Sequence, residues 1–246
     1  MMVFKNTYNI NKIKDNKFLA YTHLGLGDHI VCNGLLNHFS ESFSEIYLPV
    51  KSRDLNNLNY LYKDNDRIKV FKIEHETEVK DINNFAEINN LTILKVGFKK
   101  RKPPFNISFY EQFDLPYNYS FNKFKIIRNE KKEASLYKHL KETYKVKGPY
   151  QVVHNQSSYG KVDLRINNNL PKIYIEKETD LYKNIFLYLK IIENAEEIHC
   201  LDSSFLHLVE RVKTNANLFF HNIKKDGQKG AEVHLVKNWR IVNYFN

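Results

Sequence analysis

Three short stretches carry side chains of the kinds that do chemistry. The first is Gly25-Leu26-Gly27-Asp28-His29-Ile30, an acid and a histidine directly after a glycine-bearing turn. Glycines allow positive φ and close backbone approach, and a carboxylate at a helix N-terminus is held as the anion by the helix dipole. Asp28 placed there can take a proton from a hydroxyl as a general base, with His29 assisting or replacing it; it can equally be a simple helix cap. The second stretch is His154-Asn155-Gln156-Ser157-Ser158-Tyr159-Gly160-Lys161. Hydroxyls, amides and one lysine after a buried strand suit a diphosphate, although a solvated polar loop has the same composition. The third is Asp202-Ser203-Ser204-Phe205-Leu206-His207. Its serines open a helix whose first N–H groups form an anion site, with His207 one turn further in; the plainer reading is an ordinary cap.

Elements must hold these stretches in place, and the hydrophobic pattern supplies them. Phe18–Thr22, Ile46–Val50, Ile68–Ile73 and Leu91–Val96 read as buried strands. Helices are expected over His29–Phe39, from Ser52 to about Lys63, and in the acidic stretch Glu74–Asn90. After a helix over Glu130–Tyr144 and the turn Lys147-Gly148-Pro149, the alternation resumes. Strands are expected at Tyr150–His154, Lys172–Ile175, Glu197–Leu201, Asn217–Phe220 and Glu232–Leu235, with helices from Asp180 to about Glu193 and over Ser203–Val212. Strands alternating with helices predict an α/β fold with parallel sheets. The boundary is placed at the Gly148 turn, giving domains 1–147 and 148–246, each a small Rossmann-like βα unit. Between Gly97 and Asn129 the rhythm breaks: Lys99–Lys102 is a basic run, Pro103-Pro104 stops regular structure, and aromatics from Phe105 to Phe124 crowd together. These aromatics either pack on the sheet edge or line a sugar site.

Composition narrows the classes. The chain of 246 residues has a formal net charge of +10, which favours anionic partners. Its Lys, Asn, Ile, Phe and Tyr abundance also fits AT-rich codons. Two cysteines make neither a disulfide framework nor a zinc site, and fit a reducing, cytoplasmic location. The first 17 residues lack the apolar stretch of a signal peptide. No third glycine follows Gly25 and Gly27 in dinucleotide-binding register, and the Walker order is missing around Lys161, so nicotinamide and P-loop chemistry are set aside. His38, His75, His139, His221 and His234 have no metal-type spacing, and no Asp-x-Asp pair is expected anywhere in the chain, so no metal or cofactor is expected.

The first and third motifs together resemble the GT-B glycosyltransferases, in particular the lipopolysaccharide heptosyltransferase type. Those enzymes open with a strand, a loop ending Gly-Asp and a helix; here that is Leu26-Gly27-Asp28-His29-Ile30. The resemblance gives Asp28 the role of catalytic base. The family's second domain carries Asp-[Ser/Thr]-Gly-x-x-His at the donor diphosphate; Asp202-Ser203-Ser204-Phe205-Leu206-His207 matches it with Ser204 in place of the glycine, closer there to the fucosyltransferase-like branch. Ser157, Ser158 and Lys161 fit the family's polar loop loosely. The resemblance implies two Rossmann-like domains facing across a cleft, with closure excluding water. It implies a nucleotide-sugar donor held by the second domain and a carbohydrate acceptor deprotonated by Asp28, with inversion and without a metal. Three rivals stay open, one of them an inactive relative used as a scaffold, against which the intact Asp28 and Asp202 argue. A non-hydrolysing nucleotide-sugar epimerase would use the same architecture. A nucleic-acid binder would use the charge, but needs a basic stripe that the scattered lysines do not form. A peripheral contact with anionic lipid also suits the charge.

Overall fold

The computed structural model describes residues 6–23, 25–98, 104–157, 160–223 and 233–244. The chain divides into two compact units, residues 1–127 and 128–246. The first contains β1 (Asn6–Thr7), β2 (Lys17–Tyr21), α1 (Leu26–Phe39), β3 (Glu45–Lys51), α2 (Leu55–Leu61), β4 (Ile68–Ile73), α3 (Glu78–Ile88), β5 (Ile93–Lys95), α4 (Phe105–Glu111) and α5 (Tyr119–Asn122). The second contains α6 (Glu130–Thr143), β6 (Gln151–His154), β7 (Gln156–Ser157), β8 (Gly160–Lys161), β9 (Lys172–Tyr174), α7 (Leu189–Glu193), β10 (Glu197–Cys200), α8 (Ser204–Arg211), β11 (Asn217–Asn222) and β12 (Trp239–Asn243).

Each unit is built on a five-stranded sheet, ordered β1-β5-β2-β3-β4 in the first and β12-β11-β10-β6-β9 in the second. Every pairing within these sheets is parallel. The α/β expectation is therefore met in both halves. Parallel strands are covered on both faces, so their sequences read as apolar runs rather than alternations. Phe18, Leu19 and Ala20 of β2 are all completely buried, with Phe18 opposite Ile46 and Leu19 between Tyr47 and Ile93.

Helix α1 is buried over most of its length and packs against α4 and α5. Gly34 makes this possible: a Cβ there would lie 2.1 Å from the Tyr119 carbonyl oxygen. Tyr110 and Ser120 both donate their hydroxyls to the Val31 carbonyl, at 2.7 and 3.1 Å. The crowded aromatics of this region thus act largely as packing. Phe109 and Tyr110 are buried, and Tyr117 sets ring edges against Tyr110 and Phe121.

The Gly148 turn lies inside the second unit, because α6 is tied there. The Arg128 guanidinium bridges the buried Glu133 of α6 and Glu193 at the end of α7. A chain of hydrogen bonds crosses the second sheet. Tyr244 donates its hydroxyl to His221 Nδ1 at 2.7 Å, His221 Nε2–H donates to His199 Nδ1 at 2.9 Å, and His199 Nε2–H donates to Glu197 at 3.1 Å. The Arg165 N–H completes it by donating to the Tyr244 oxygen at 2.7 Å. Every acceptor is used with both histidines neutral, and the chain anchors the residue following β12 to the sheet.

Several elements differ from the sequence expectation. The segment from Asp180 to Glu193 is not one long helix. Asp180 turns back to accept from the Tyr182 and Asn184 N–H groups, Lys183 takes φ +49°, and Asn184 caps a short 3-10 turn before α7. This is local side-chain competition with a helix. The last strand is Trp239–Asn243; Val233–Leu235 forms no strand, and Glu232 lies outside the described residues. The helix after Ser52 begins as a 3-10 turn and is regular only over Leu55–Leu61. The short β1 has no apolar signal of its own and exists by pairing with β5. The basic run Lys99–Lys102 lies outside the described residues.

Candidate functional site

Open parallel sheets bind ligands beyond the carboxyl ends of their strands. In the first unit that edge carries the turn after β2, the end of β3 and the segment after β5. Helix α1 starts at Leu26 with Gly25 as its N-cap, so Gly27, Asp28 and His29 all lie in its first turn. Gly25 has φ −80°, which any residue can adopt. Its lack of a side chain serves space instead, since a Cβ would lie 2.7 Å from Asp28 Oδ2, which accepts the Gly25 N–H at 3.2 Å. Asp28 is half-buried. Burial raises its carboxyl above the usual range, while His23, the Gly25 N–H and Lys51 pull it back. Lys51, the last residue of β3, lies 3.3 Å from Glu78 at the start of α3, and Tyr21 donates its hydroxyl to Glu78 at 2.7 Å. His29 is completely enclosed, with neither ring nitrogen hydrogen-bonded. Burial, helped by Lys51, pushes it down to about 3, so it is neutral at pH 7.

In the second unit, β6 and β10 are neighbours, with His154 opposite Cys200. This register brings the second and third stretches to the same sheet edge. Ser203 caps α8, its hydroxyl accepting the Leu206 N–H at 3.4 Å and lying 3.1 Å from His154 Nδ1. The His154 ring stacks on Phe205, and burial pushes it down to about 4. Asn155 holds the loop at its root: its side-chain NH2 donates to the Val162 carbonyl and its carbonyl accepts the Val162 N–H. Its side-chain oxygen is buried and unpaired. The loop continues as the β7–β8 hairpin, turning at Gly160 with φ +112°. Ser203, Ser204 and the half-buried Asp202 occupy the entrance to α8. His207, one turn in, is pushed down to about 3 by burial and by Arg211, so it offers no charge at pH 7. Lys161 is exposed, and its ammonium lies 2.6 Å from Glu176.

His154, Asn155, Asp202, Ser203, Ser204 and His207 therefore gather at one edge. Ser158 lies outside the described residues, and Ser157 ends β7. Four residues escaped the sequence reading: Tyr21, His23, Lys51 and Glu78. Three of them stand at or just after strand ends, so the carboxyl-edge rule was the signal that pointed to them. One Asp-x-Asp triplet does occur, Asp64-Asn65-Asp66, contrary to the expectation. It lies in the turn before β4, at the amino ends of the strands, with both carboxylates exposed and Asn65 bonded to Asn37 and Ser40. It is thus at the opposite end of the sheet from Asp28. Among the described residues, no group of three or more His, Cys, Asp or Glu side chains is arranged to hold a metal ion, and no helix is long and apolar enough to cross a membrane.

No protein-family model matches this sequence, and no curated protein matches it. The chain's structure is similar to a crystal structure described as the glycosyl transferase family 9 from Veillonella parvula DSM 2008. The TM-score is 0.53 over 94% of this chain and 88% of that one, at 9% sequence identity. The likeness runs nearly end to end and is one of fold: two units, each an α/β sandwich on a parallel sheet.

Proposed function

We propose that this protein is a glycosyltransferase that moves a sugar from a nucleotide-sugar donor to a hydroxyl of a carbohydrate acceptor, with inversion and without a bound metal. The observation that carries the reading is the convergence in the second unit. The His154 loop and the Ser203-capped start of α8 meet at the carboxyl ends of adjacent strands. Free N–H groups at a helix start, hydroxyls and a backbone-rich turn are what a diphosphate requires. The end-to-end likeness in fold to a glycosyl transferase family 9 structure supports the same reading.

In the proposed reaction the donor diphosphate rests against Ser203, Ser204 and the N–H groups of α8, with Lys161 turning from Glu176 toward it. Asp28 takes the proton of the acceptor hydroxyl. The oxygen bonds to the anomeric carbon from the face opposite the diphosphate. The carbon–oxygen bond to phosphate breaks, and its electron pair leaves on the nucleoside diphosphate, where the helix dipole stabilises it. His29, enclosed and neutral, is given no part in the proton transfer.

A thermal-shift screen of nucleoside diphosphates and nucleotide sugars with EDTA present tests the donor side, since a ligand of the native state raises Tm. A rise with one nucleotide that survives EDTA is expected. The partner test is Asp28→Asn, expected to lower kcat by at least ~100-fold while leaving the nucleotide shift intact. Full transfer by that variant removes Asp28 from the base role, and no shift with any nucleotide sinks the reading.

A further inference from the structure

A hydroxyl both donates and accepts hydrogen bonds, so a surface that holds many hydroxyls sets amides and carboxylates side by side around a hollow. The first unit has such a place next to the turn that carries Asp28. Between the end of β4 and the first turns of α3 lies an open hollow of about 800 Å³. Asn83 and Asn84 line it from α3, and Glu76 lines it from the turn before that helix. Among the described residues, nothing hydrogen-bonds to the side chains of Glu76, Asn83 or Asn84. Val79, 61% exposed, adds an apolar surface to the same lining.

The charges around the hollow speak against an anionic ligand. A phosphate or carboxylate calls for several arginines or lysines converging on it. The lining instead sets Glu76 and Glu78 against Lys80, with His75 exposed at the rim. Lys51 is already committed: its ammonium lies 3.3 Å from one oxygen of Glu78, while the other accepts the Tyr21 hydroxyl at 2.7 Å. Two further acids flank the hollow in sequence and are occupied. Asp81 accepts the Thr77 hydroxyl at 2.7 Å and the Glu74 N–H at 3.1 Å, and Glu74 accepts from Lys72 at 2.6 Å and from Ser52 at 2.8 Å. The first turn of α3 thus carries its own acids, Glu78 and Asp81, where an anion could otherwise bind. Two neutral amides, an unshared carboxylate and a small apolar surface are what remain, and they suit an uncharged polyhydroxyl ligand.

The hollow shares a sheet edge with Asp28. Strands β2, β3 and β4 are consecutive in the sheet; Asp28 follows β2 and the hollow follows β4. Two strand spacings, ~10 Å, therefore separate them. The Tyr21–Glu78–Lys51 cluster joins the two places: Tyr21 ends β2, Lys51 ends β3, and Glu78 opens α3 and lines the hollow. One sugar ring does not span that distance, whereas a chain of them does. We propose that this hollow holds the outer residues of an uncharged glycan chain whose reacting end lies at Asp28, so that the acceptor is a neutral oligosaccharide rather than a free sugar or an acidic glycan. What happens at Asp28 rests on the transferase reading; the seating of a neutral glycan in the hollow does not.

The test titrates the full-length protein with cellotriose, maltotriose and chitotriose, with glucose and N-acetylglucosamine, and with trigalacturonate. It follows the side-chain amide NMR signals of Asn83 and Asn84, assigned by their loss in Asn83→Asp and Asn84→Asp. At least one neutral trisaccharide is expected to shift both signals, with its monosaccharide clearly weaker and trigalacturonate without effect. A protein carrying both Asn83→Ala and Asn84→Ala is expected to bind that trisaccharide about tenfold more weakly, the worth of two lost hydrogen bonds. Its thermal shift with nucleotides is expected to stay as in the wild type. Shifts with no neutral trisaccharide overturn the proposal. Trigalacturonate bound as tightly as the neutral chains overturns it, as does a monosaccharide bound as tightly as its trisaccharide. If the double variant does not fold, the wild-type titration decides alone. Wild-type protein whose Tm rises with no nucleotide sinks the transferase reading and leaves the titration to judge the hollow. Transfer to a neutral trisaccharide with an unchanged acceptor KM in the double variant sinks the hollow and leaves the reading standing.

Discussion

Ser203 has three partners for one hydroxyl. It accepts the Leu206 N–H as the cap of α8, lies 3.2 Å from the Leu201 carbonyl and meets His154 Nδ1 across from the neighbouring strand. Removing it leaves an orphan helix donor and strips the buried His154 of its partner. Ser203→Ala is therefore expected to cost roughly 1 kcal/mol of stability, the usual worth of such a cap. It should also weaken nucleotide binding more than that loss explains, because α8 would present its N–H groups less firmly. Urea titration and nucleotide titration of the same variant separate the two effects, and unchanged nucleotide affinity would place Ser203 outside the donor site. Lys161 is a quieter case. Its ammonium is held by Glu176 at 2.6 Å, and an exposed pair of this kind is worth little in itself. Exchanging that partner for a phosphate is correspondingly cheap.

At the scale of elements, α1 sets the geometry of the first unit. It carries Asp28 at its start, and its middle is pressed against α5 so closely that only glycine fits at position 34. Alanine in a helix interior ordinarily gains up to about 1 kcal/mol over glycine. At Gly34 the added carbon would meet backbone, which cannot swing aside, and overpacking of this kind costs roughly 1–3 kcal/mol. The clash outweighs the propensity gain, so Gly34→Ala is expected to destabilise the protein, read as a lower urea midpoint. A higher midpoint would mean that α5 moves away from α1 freely. Helix α8 shows the reverse dependence. Phe205, Leu206, Leu208 and Val209 are completely buried, so packing rather than propensity holds its short length in place.

At the scale of the whole molecule, buried histidines tie stability to pH. His29 and His207 are pushed down to about 3, and His154 and His221 to about 4, in each case chiefly by burial. In the unfolded chain a histidine protonates near pH 6.5. Between that pH and the folded values the unfolded state binds more protons, so stability rises with pH. The contribution is fully present above about pH 6.5 and is withdrawn as pH falls toward 4. Each such histidine withdraws up to about 1.4 kcal/mol per pH unit in that window. The Tyr244–His221–His199–Glu197 chain makes the second unit especially sensitive, because a proton added to His199 sets its Nδ1–H against the His221 Nε2–H, and one added to His221 obliges the Tyr244 hydroxyl to turn from donor to acceptor. Urea midpoints at pH 7.5, 6 and 5 are expected to fall steeply. A flat profile would show that these histidines are solvated before the protein unfolds.

Much of this was legible in the chain itself. The apolar runs around Phe18, Ile46, Val152 and Ile198 specified parallel strands, because a strand buried on both faces needs no alternation. Gly25 through Asp28 and Asp202 through Ser204 announced the two helix starts, because caps and first-turn acids act within a few residues. What spacing alone did not carry was anything set by register between distant strands. The pairing of β6 with β10 brings His154 to Ser203, forty-nine positions apart in sequence. The pairing of β10 with β11 joins His199 to His221. The folding of the segment after β5 onto β2 clamps His23 at Gly97. The complete burial of His29 was likewise not written in its neighbours. Local chemistry is written in neighbouring residues, whereas burial and charge at a site depend on which distant segments the fold lays over it.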